Sequence, residues 1–331
     1  MMERTPLQPP VIPALPAGVK RPLWSVMIPA YNCGRYIQRT IESVLMQAPA
    51  EKLMQIEVVD DASTDIDLQS LVHKTGNGRV KYFRQVNNVG SLRNFETSIN
   101  RARGHYVHIL HGDDFLSPGF YDEAAMLFKQ FPSAAAVFTA FTQVNEQGTF
   151  ICNSEIPASQ PGIIPGWLSI IARNQKLQPP AVVVKREVYE KLGSFFGVHY
   201  GEDWEMWVRI AARYPMAHSP KKLAHYRVHD ENISSHSLVS GQHIKDIASV
   251  INTIQNYLPA PEKKIWMRAA KKNWSLYFAR TADKTYGKYK QPRQALRQAK
   301  MAYQLHRNQV SFFYMAKTFV KLAIGWKVKD R

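Results

Sequence analysis

The sequence is poor in features that would place it in a specialised class of protein. It has only two cysteines in 331 residues, Cys33 and Cys152, and they fit neither a disulfide framework nor a metal-ligand spacing. No stretch approaches 18 uncharged apolar residues, so no transmembrane helix is predicted. These absences favour a reducing compartment, and we predict a cytoplasmic protein.

Acidic residues are scarce in one part of the chain only. From residue 241 to the end there are 19 Lys and Arg against 4 Asp and Glu, whereas the whole chain has a formal net charge of +17. The preceding 240 residues are therefore nearly neutral. This asymmetry indicates two modules with different roles. With 45% hydrophobic residues, the chain can bury a real core.

The composition suggests three segments along the chain. Residues 1–21 are rich in proline and lack a continuous apolar core, which predicts a flexible lead-in rather than a targeting segment. Residues 22–238 are predicted to form one α/β domain. Residues 239–331 are predicted to form a basic helical C-terminal region.

Predicted strands and helices alternate in the first two-thirds of the chain. The segment 91–104 is predicted to be a helix with Gly104 as its C-cap. Polar groups gather just after the strand ends, as in open α/β sheets that bind ligands at the carboxyl ends of their strands. The apolar runs and helical spacing that carry this interpretation are strands at 24–32, 56–61 and 80–85 and a helix at 33–47.

An acidic pair follows the strand-like run in HILHGDDFLSP, residues 108–118. Asp113 and Asp114 are adjacent, and like charges that close disfavour each other's ionisation. A hard cation with oxygen ligands would offset that repulsion. The alternative is that the pair only caps the helix that follows.

Four stretches in this order resemble the family-2 glycosyltransferases of the GT-A fold. The resemblance covers about two-thirds of the chain and implies a Rossmann-like, mixed but mostly parallel sheet flanked by helices, with a C-terminal helical extension. It also implies inverting transfer of a sugar from a nucleotide sugar to an acceptor hydroxyl. The stretches are SVMIPAYN (25–32), VVDDASTD (58–65), the segment 87–114 and GEDWEMWVRI (201–210).

The resemblance implies a divalent metal, Mn²⁺ or Mg²⁺, bound to the donor diphosphate. Asp113 is the first choice as its ligand, with Asp114 beside it. The family often has Asp-x-Asp-Asp here, whereas this chain has His111 at the first position. An imidazole can ligate Mn²⁺ and suits Mg²⁺ less well, or it can replace a ribose contact. His229, in a stretch resembling the family's closing loop (226–236), is a further candidate ligand, with Arg227 near the diphosphate.

The resemblance also implies which loops contact the nucleotide. Two aspartates at a strand end can accept hydrogen bonds from a base or a ribose. The alternative is that their loop is only a turn rich in Asx and hydroxyl residues. An arginine in the following helix could approach the phosphates or could be a solvated surface residue. The implied nucleotide-contacting residues are Pro29, Ala30, Tyr31, Asn32, Asp60, Asp61, Arg93, Gly112 and Asp113.

Glu202 and Asp203 begin a predicted helix whose apolar face contains Trp204 and Trp207. A helix N-terminus favours ionised carboxylates, so the pair could serve only as a cap. The resemblance implies instead that Asp203 is the catalytic base and Glu202 its neighbour. Asp203 would take the proton of an acceptor hydroxyl during a single displacement, and the configuration of the sugar would invert.

The basic C-terminal region lies outside the resemblance. Its aromatic and basic residues suit either the inner face of an anionic cell membrane or a helical cap on the catalytic domain. The expected partners are a UDP-sugar donor and a saccharide or lipid-linked acceptor, as in cell-surface polysaccharide or lipopolysaccharide synthesis. The alternatives are an inactive sugar-nucleotide-binding scaffold and a nucleic-acid-binding protein. Nucleic acid is disfavoured, because no motif for it is present.

Overall fold

The computed structural model describes residues 3–229, 237 and 240–326. Contacts divide the chain into two compact units. The predicted domain boundary at residues 238 and 239 lies outside the described residues. The first unit consists of Met1–Trp167, Lys176–Gly197 and Arg209–Val228, and the second of Leu168–Gln175, Val198–Val208 and His229–Arg331.

The strands of the first unit form a single ten-stranded sheet. Their positions follow the apolar runs of the sequence, because a strand covered on both faces needs apolar residues at every position. They are β1 Trp24–Ala30, β2 Met54–Asp60, β3 Lys81–Arg84, β4 Tyr106–Ile109, β5 Phe115–Leu116, β6 Ala136–Val144, β7 Phe150–Asn153, β8 Gly162–Ile163, β9 Val182–Lys185 and β10 Met216–Arg227.

The sheet is mixed, and its longest strand pairs are parallel. The strand order is β3-β2-β1-β4-β9-β6-β10-β5, with β7 beside β6 and β8 beside β10. Strands β3, β2, β1 and β4 are all parallel, and β6 is parallel to β10. Strand β9 runs antiparallel between β4 and β6. The predicted mixed, mostly parallel sheet is therefore confirmed.

Helices flank the sheet and continue into the C-terminal part of the chain. Val26 and Ile28 of β1 share one buried cluster with Ile37, Ile41 and Val44 of the first helix. The helices are α1 Gly34–Leu45, α2 Leu68–Gly76, α3 Ser91–Arg101, α4 Phe120–Gln130, α5 Trp167–Ile171, α6 Arg186–Leu192, α7 Glu202–Ala211, α8 Gln242–Ile254, α9 Ala260–Gly287, α10 Pro292–Leu305 and α11 Gln309–Ala323.

The C-terminal helices α8 to α11 belong to the second unit. Aromatic residues form its core: the rings of Trp204 and Trp274 lie 5.4 Å apart, and Phe278 stacks on Trp274 at 5.4 Å. The indole N–H of Trp204 donates to the carbonyl of Ile171 at 2.7 Å. The predicted helical extension is thus present. Among the described residues, none of the helices combines the length and the apolar character needed to cross a membrane.

The N-terminal segment is packed, contrary to the prediction of a flexible lead-in. The side chain of Ile12 is 1% exposed. The carbonyls of Pro6 and Pro10 accept hydrogen bonds from the backbone N–H groups of Gly197 and Ser194, both at 2.9 Å. Proline fixes φ and leaves carbonyl acceptors free, so an extended proline-rich strip can bind along a folded surface without forming a strand.

Gly104 is not the C-cap of α3, because that helix ends at Arg101 with Ala102 as its C-cap. Its role is to let the chain pass close to β1. The N–H of Gly104 donates to the hydroxyl of Ser25 at 2.7 Å. A Cβ at position 104 would lie 2.5 Å from the backbone of Trp24 and of Ser25. Only glycine fits there without moving the first strand.

We expect Gly104→Ala to destabilise the protein by about 1–3 kcal/mol, because the added methyl group would meet backbone that cannot rotate away. The matched control is Gly287→Ala at the end of α9, where a Cβ meets nothing within 4 Å. That change should leave stability equal or slightly higher. Urea-unfolding midpoints of the two variants measure the difference, and equal midpoints would contradict the close approach at Gly104.

Candidate active site

Four parallel strands end at one edge of the sheet and bring the predicted donor-binding loops together. Ala30 at the end of β1 pairs in register with Asp60 at the end of β2, and Asp60 with Arg84 at the end of β3. Strand β4 lies on the other side of β1 and leads into residues 110–114. Ligands of open α/β sheets bind at such an edge.

The carboxylate of Asp60 is fully buried and accepts four hydrogen bonds. Its Oδ1 accepts from the N–H of Ser63 at 2.9 Å and from the hydroxyl of Ser63 at 2.6 Å. Its Oδ2 accepts from the hydroxyl of Tyr82 at 2.6 Å and from Arg84. Burial and this hydrogen bond raise the pKa of Tyr82 to about 12. Asp60 therefore fixes Arg84, a cation that sequence analysis missed, at the end of β3.

Asp61 fastens the neighbouring loop to the same edge. Its two carboxylate oxygens accept from the backbone N–H of Val89 at 2.7 Å and of Gly90 at 2.9 Å. Gly90 has φ of 89°, a conformation that favours glycine. Burial raises the pKa of Asp61, and the two N–H donors oppose that rise. Asp61 thus shapes the loop that precedes α3.

The loop after β1 presents side chains at the predicted positions. Pro29 and Ala30 are buried at the end of the strand, whereas Tyr31 is 52% exposed and Asn32 is exposed. Asn32 has φ of 48°, and its Oδ1 accepts from the N–H of Thr64 at 2.8 Å. The loop is therefore held by side-chain hydrogen bonds while the ring of Tyr31 faces solvent.

Gly112 allows the acidic segment to lie against β1. Its N–H donates to the carbonyl of Pro29 at 3.2 Å, and a Cβ there would lie 2.6 Å from Sγ of Cys33. The hydroxyl of Thr40 lies within hydrogen-bond distance of the carbonyls of Gly112, at 3.0 Å, and of Asp114, at 2.6 Å. The backbone that carries the acidic pair is thus fixed on both sides.

Asp114 is buried and only partly hydrogen-bonded by protein groups, whereas Asp113 beside it is half-buried. Asp114 is 1% exposed, and its Oδ1 accepts from the N–H of Arg227 at 2.8 Å. Its Oδ2 has no hydrogen-bond partner. Burial and then the charge of Asp113 raise the pKa of Asp114 well above the ordinary carboxyl value. A buried oxygen in this state is costly unless a further group binds it.

A divalent cation fits this arrangement. His111, Asp113 and Asp114 each offer one ligand atom, and these atoms lie within 4.8 Å of one another. The ring of His111 stacks on Phe95 with 5.2 Å between centroids. Stacking uses the face of the ring, whereas the lone pair that binds a metal lies in the ring plane. Burial lowers the pKa of His111, and the neutral imidazole is the form that binds metals. The structure brings together three of the four predicted ligands.

Arg227 supports the acidic pair through its backbone and its side chain. Nε donates to the carbonyl of Asp113 at 2.8 Å, and Nη1 donates to the carbonyl of Glu146 at 2.6 Å. The guanidinium also lies over the ring of Tyr36, 4.8 Å from its centroid. Arg227 is 3% exposed. These contacts position the segment that carries Asp113 and Asp114, and the predicted approach of Arg227 to the diphosphate stays a prediction.

Arg93 lies in contacts that the sequence did not predict. Its Nε donates to the carbonyl of Glu3 at 2.8 Å, and its Nη1 pairs with Glu96 at 2.7 Å. Both contacts direct the guanidinium towards the N-terminal segment and its own helix. The approach of Arg93 to the phosphates stays a prediction.

The predicted catalytic pair belongs to the second unit, at the start of α7. Asp203 is 7% exposed, and its Oδ1 accepts from the N–H of Trp204 at 2.7 Å. Burial raises the pKa of Asp203 to about 7. Burial and then the charge of Asp203 raise the pKa of Glu202 well above its usual value, with a smaller effect from Asp246. Burial therefore disfavours the ionised form of Glu202, whereas a pKa of about 7 makes both forms of Asp203 accessible near neutral pH.

Gln175 holds the second oxygen of Asp203. Its Nε2 donates to Oδ2 at 2.6 Å and lowers the pKa of Asp203, against the larger effect of burial. Nothing in the sequence marks Gln175, because it lies 28 positions before Asp203 and in no motif. His229, the fourth predicted metal ligand, belongs to this unit and is 9% exposed. Residues 230–236 of the predicted closing loop lie outside the described residues.

A family model described as glycosyl transferase family 2 matches residues 25–192. The chain belongs to glycosyl transferase family 2. The match includes the acidic edge of the sheet and ends before Glu202, so the role of the catalytic pair rests on motif order and on the geometry of α7.

Curated relatives align with part of this family-2 chain. Chondroitin synthase of Escherichia coli is 37% identical over 140 residues, which are 41% of this chain and 20% of the relative. Hyaluronan synthase of Pasteurella multocida is 34% identical over 134 residues, which are 40% of this chain and 13% of the relative. The aligned part is thus a fifth or less of the length of these relatives.

Solved structures share the fold of this family-2 chain over nearly its whole length. Staphylococcus aureus TarS 1-349 in complex with UDP-GlcNAc superposes with a TM-score of 0.66 at 17% identity, over 92% of this chain and 93% of that one. The mannosyltransferase PcManGT from Pyrobaculum calidifontis, in complex with GDP-Man and Mn²⁺, gives 0.56 at 16% identity, over 91% and 81%. The predicted GT-A fold is confirmed.

Proposed function

We propose that this chain is an inverting, metal-dependent glycosyltransferase that moves a sugar from a nucleotide sugar to an acceptor hydroxyl. The observation that carries the proposal is the cluster of His111, Asp113 and Asp114 at the carboxyl edge of the parallel strands. In this cluster, the buried Oδ2 of Asp114 has no hydrogen-bond partner from the protein. UDP-sugars are the first donor class to test.

The donor nucleotide binds along the loops that end β1, β2 and β3. The exposed ring of Tyr31 can stack on a base, and the exposed amide of Asn32 can hydrogen-bond to it. Arg84, whose side chain is 44% exposed, offers a positive charge beside these loops. Asp60 and Asp61 act mainly by fixing these groups, since their carboxylates already have protein donors.

The diphosphate lies next to the acidic pair. His111, Asp113 and Asp114 would hold Mn²⁺ or Mg²⁺, and a cation there neutralises charge on the departing diphosphate. Arg227 and Thr40 keep the peptide units of this segment fixed, so the carboxylates stay in position while the charge beside them changes. A set with one imidazole favours Mn²⁺ over Mg²⁺.

Asp203 serves as the general base. In its ionised form it accepts the proton of the acceptor hydroxyl as that oxygen forms a bond to the anomeric carbon. The bond from the anomeric carbon to the diphosphate oxygen breaks in the same step, with inversion. A pKa of about 7 lets Asp203 accept this proton near neutral pH. Burial and the charge of Asp203 raise the pKa of Glu202, which disfavours a second negative charge beside the base.

The acceptor is a saccharide or a lipid-linked saccharide. Relatives that are 34–37% identical to part of this chain are named chondroitin synthase and hyaluronan synthase. Those names support polysaccharide synthesis, and we propose a cell-surface polysaccharide or lipopolysaccharide as the product. Release of UDP from a panel of UDP-sugars, with Mn²⁺ and with saccharide acceptors, tests the activity. Binding of donors without any turnover would favour the inactive scaffold.

We expect Asp203→Asn to lower kcat by about 10²-fold or more, because it removes the proton acceptor. The KM for the donor should change little. Glu202→Gln is the matched control, since burial and the charge of Asp203 disfavour the ionised form of Glu202, and it should retain most of the activity. Steady-state UDP release measures both variants. A larger loss in Glu202→Gln than in Asp203→Asn would reverse the two assignments.

Removing the donor of Gln175 should move the pH dependence of activity. Because its hydrogen bond favours the ionised form of Asp203, Gln175→Leu raises the pKa of Asp203, and the acid limb of kcat/KM shifts to higher pH. Activity at alkaline pH, where Asp203 is fully ionised, should fall less than activity at pH 6. Lys176→Leu, which removes the ion pair with Glu155 and leaves the hydrogen bond to Asp203 in place, is the control. An unchanged acid limb in Gln175→Leu would show that Asp203 does not govern the profile.

A further inference from the structure

Helix α11 has its polar and apolar faces reversed relative to an ordinary surface helix. Ser311 and Thr318 are fully buried. Large apolar side chains point outward, and each of them is more than half exposed. We call this set the apolar stripe: Phe312, Phe313, Phe319, Val320, Ile324 and Trp326.

The orientation of α11 is fixed by contacts on its inner side. The ammonium groups of Lys317 and Lys321 pair with the two oxygens of Asp283 at 2.9 and 3.1 Å. The hydroxyl of Tyr286 donates to the carbonyl of Trp326 at 2.8 Å. Rolling the helix to bury the apolar stripe would break all three contacts. These three contacts therefore keep the apolar stripe exposed.

A basic surface belongs to the neighbouring helix. Helix α10 packs against α11, with the rings of Tyr303 and Phe312 5.8 Å apart. Its buried side consists largely of alanines. Its exposed side has cations at i, i+4 and i+7, which we call the basic stripe: Arg293, Arg297 and Lys300.

We propose that the apolar stripe inserts into the headgroup region of an anionic lipid bilayer, with the basic stripe contributing electrostatic attraction. A contiguous exposed apolar patch marks an interaction surface. Apolar and aromatic residues together with Lys and Arg are the composition of helices that lie in the membrane interface. The part of the chain that the structure describes has no spanning helix, so the attachment is in the plane of the surface.

Charge distinguishes a lipid bilayer from two other possible partners of this surface, a second copy of the chain and a nucleic acid. A second copy of the chain would bring together two surfaces that each carry a large excess of Lys and Arg, and that repulsion opposes association. A nucleic acid would satisfy the cations but leave the apolar stripe in water. An anionic bilayer offers an apolar interior to the apolar stripe and negative headgroups to the basic stripe. The inference concerns binding alone and does not rest on the proposed transferase activity.

Flotation of the full chain with lipid vesicles tests the proposal. We expect the wild type to bind vesicles of phosphatidylcholine and phosphatidylglycerol in equal parts, and to bind pure phosphatidylcholine weakly. The double variant Phe313→Ser with Phe319→Ser should bind the anionic vesicles about tenfold or more weakly. Its matched control is Leu7→Ser with Val11→Ser, which removes apolar side chains that are 69% and 80% exposed elsewhere and should bind as wild type.

A second variant tests the electrostatic part. Replacing the three cations of the basic stripe with Gln should weaken binding to the anionic vesicles and flatten its salt dependence. Wild-type binding by the Phe313/Phe319 variant would overturn the proposal. Failure of the wild type to float with anionic vesicles would also overturn the proposal. A dimer that the Phe313/Phe319 variant abolishes would then point to a second copy of the chain, and binding to single-stranded RNA would point to a nucleic acid. UDP-sugar turnover by both variants with a soluble acceptor should stay unchanged.

Discussion

The desolvation of Asp114 is the constraint around which the first unit is arranged. One of its oxygens is held by the backbone of Arg227, and the other is buried without a protein partner. Two adjacent carboxylates in such a place are unstable as ions unless positive charge is added. Arg227 fixes the segment through backbone carbonyls, and Gly112 brings it against β1. A cation at this point would complete the electrostatics that the protein groups leave incomplete.

Desolvation also raises carboxyl pKa values in the second unit, where we propose a different role for the acidic pair. There the pair consists of Glu202 and Asp203, and burial raises the pKa of both. Gln175 and the N–H of Trp204 stabilise ionised Asp203. The ionised form of Glu202 is thus disfavoured, while the pKa of Asp203 is about 7. Burial thus raises carboxyl pKa values at both acidic pairs, and we propose cation binding at the first and proton acceptance at the second.

Much of the sheet and the positions of its acidic loops could be predicted from sequence. The apolar runs at β1 and β2 and the aspartates after them are local signals, and parallel pairing then brings these ends together. Contacts between distant positions left no such signal. Arg227 and Asp113 are 114 positions apart, and the hydrogen bond of Gln175 joins segments 28 positions apart.

Composition alone did not determine two local outcomes. The proline-rich start was predicted to be flexible, yet its free carbonyls bind backbone N–H groups of residues 194 and 197. The helical periodicity of α11 could not show which face is buried, because the ion pairs to Asp283 turn its polar side inward. In both cases the partner, rather than the segment itself, determines the outcome.

The central claim is that the acidic pair binds a nucleotide diphosphate through a divalent cation. Calorimetric titration of UDP into the purified chain, with and without Mn²⁺, tests it directly when the wild type is compared with Asp113→Ala. We expect UDP binding that requires Mn²⁺ and disappears in Asp113→Ala. UDP binding that depends on neither the metal nor Asp113 would contradict it.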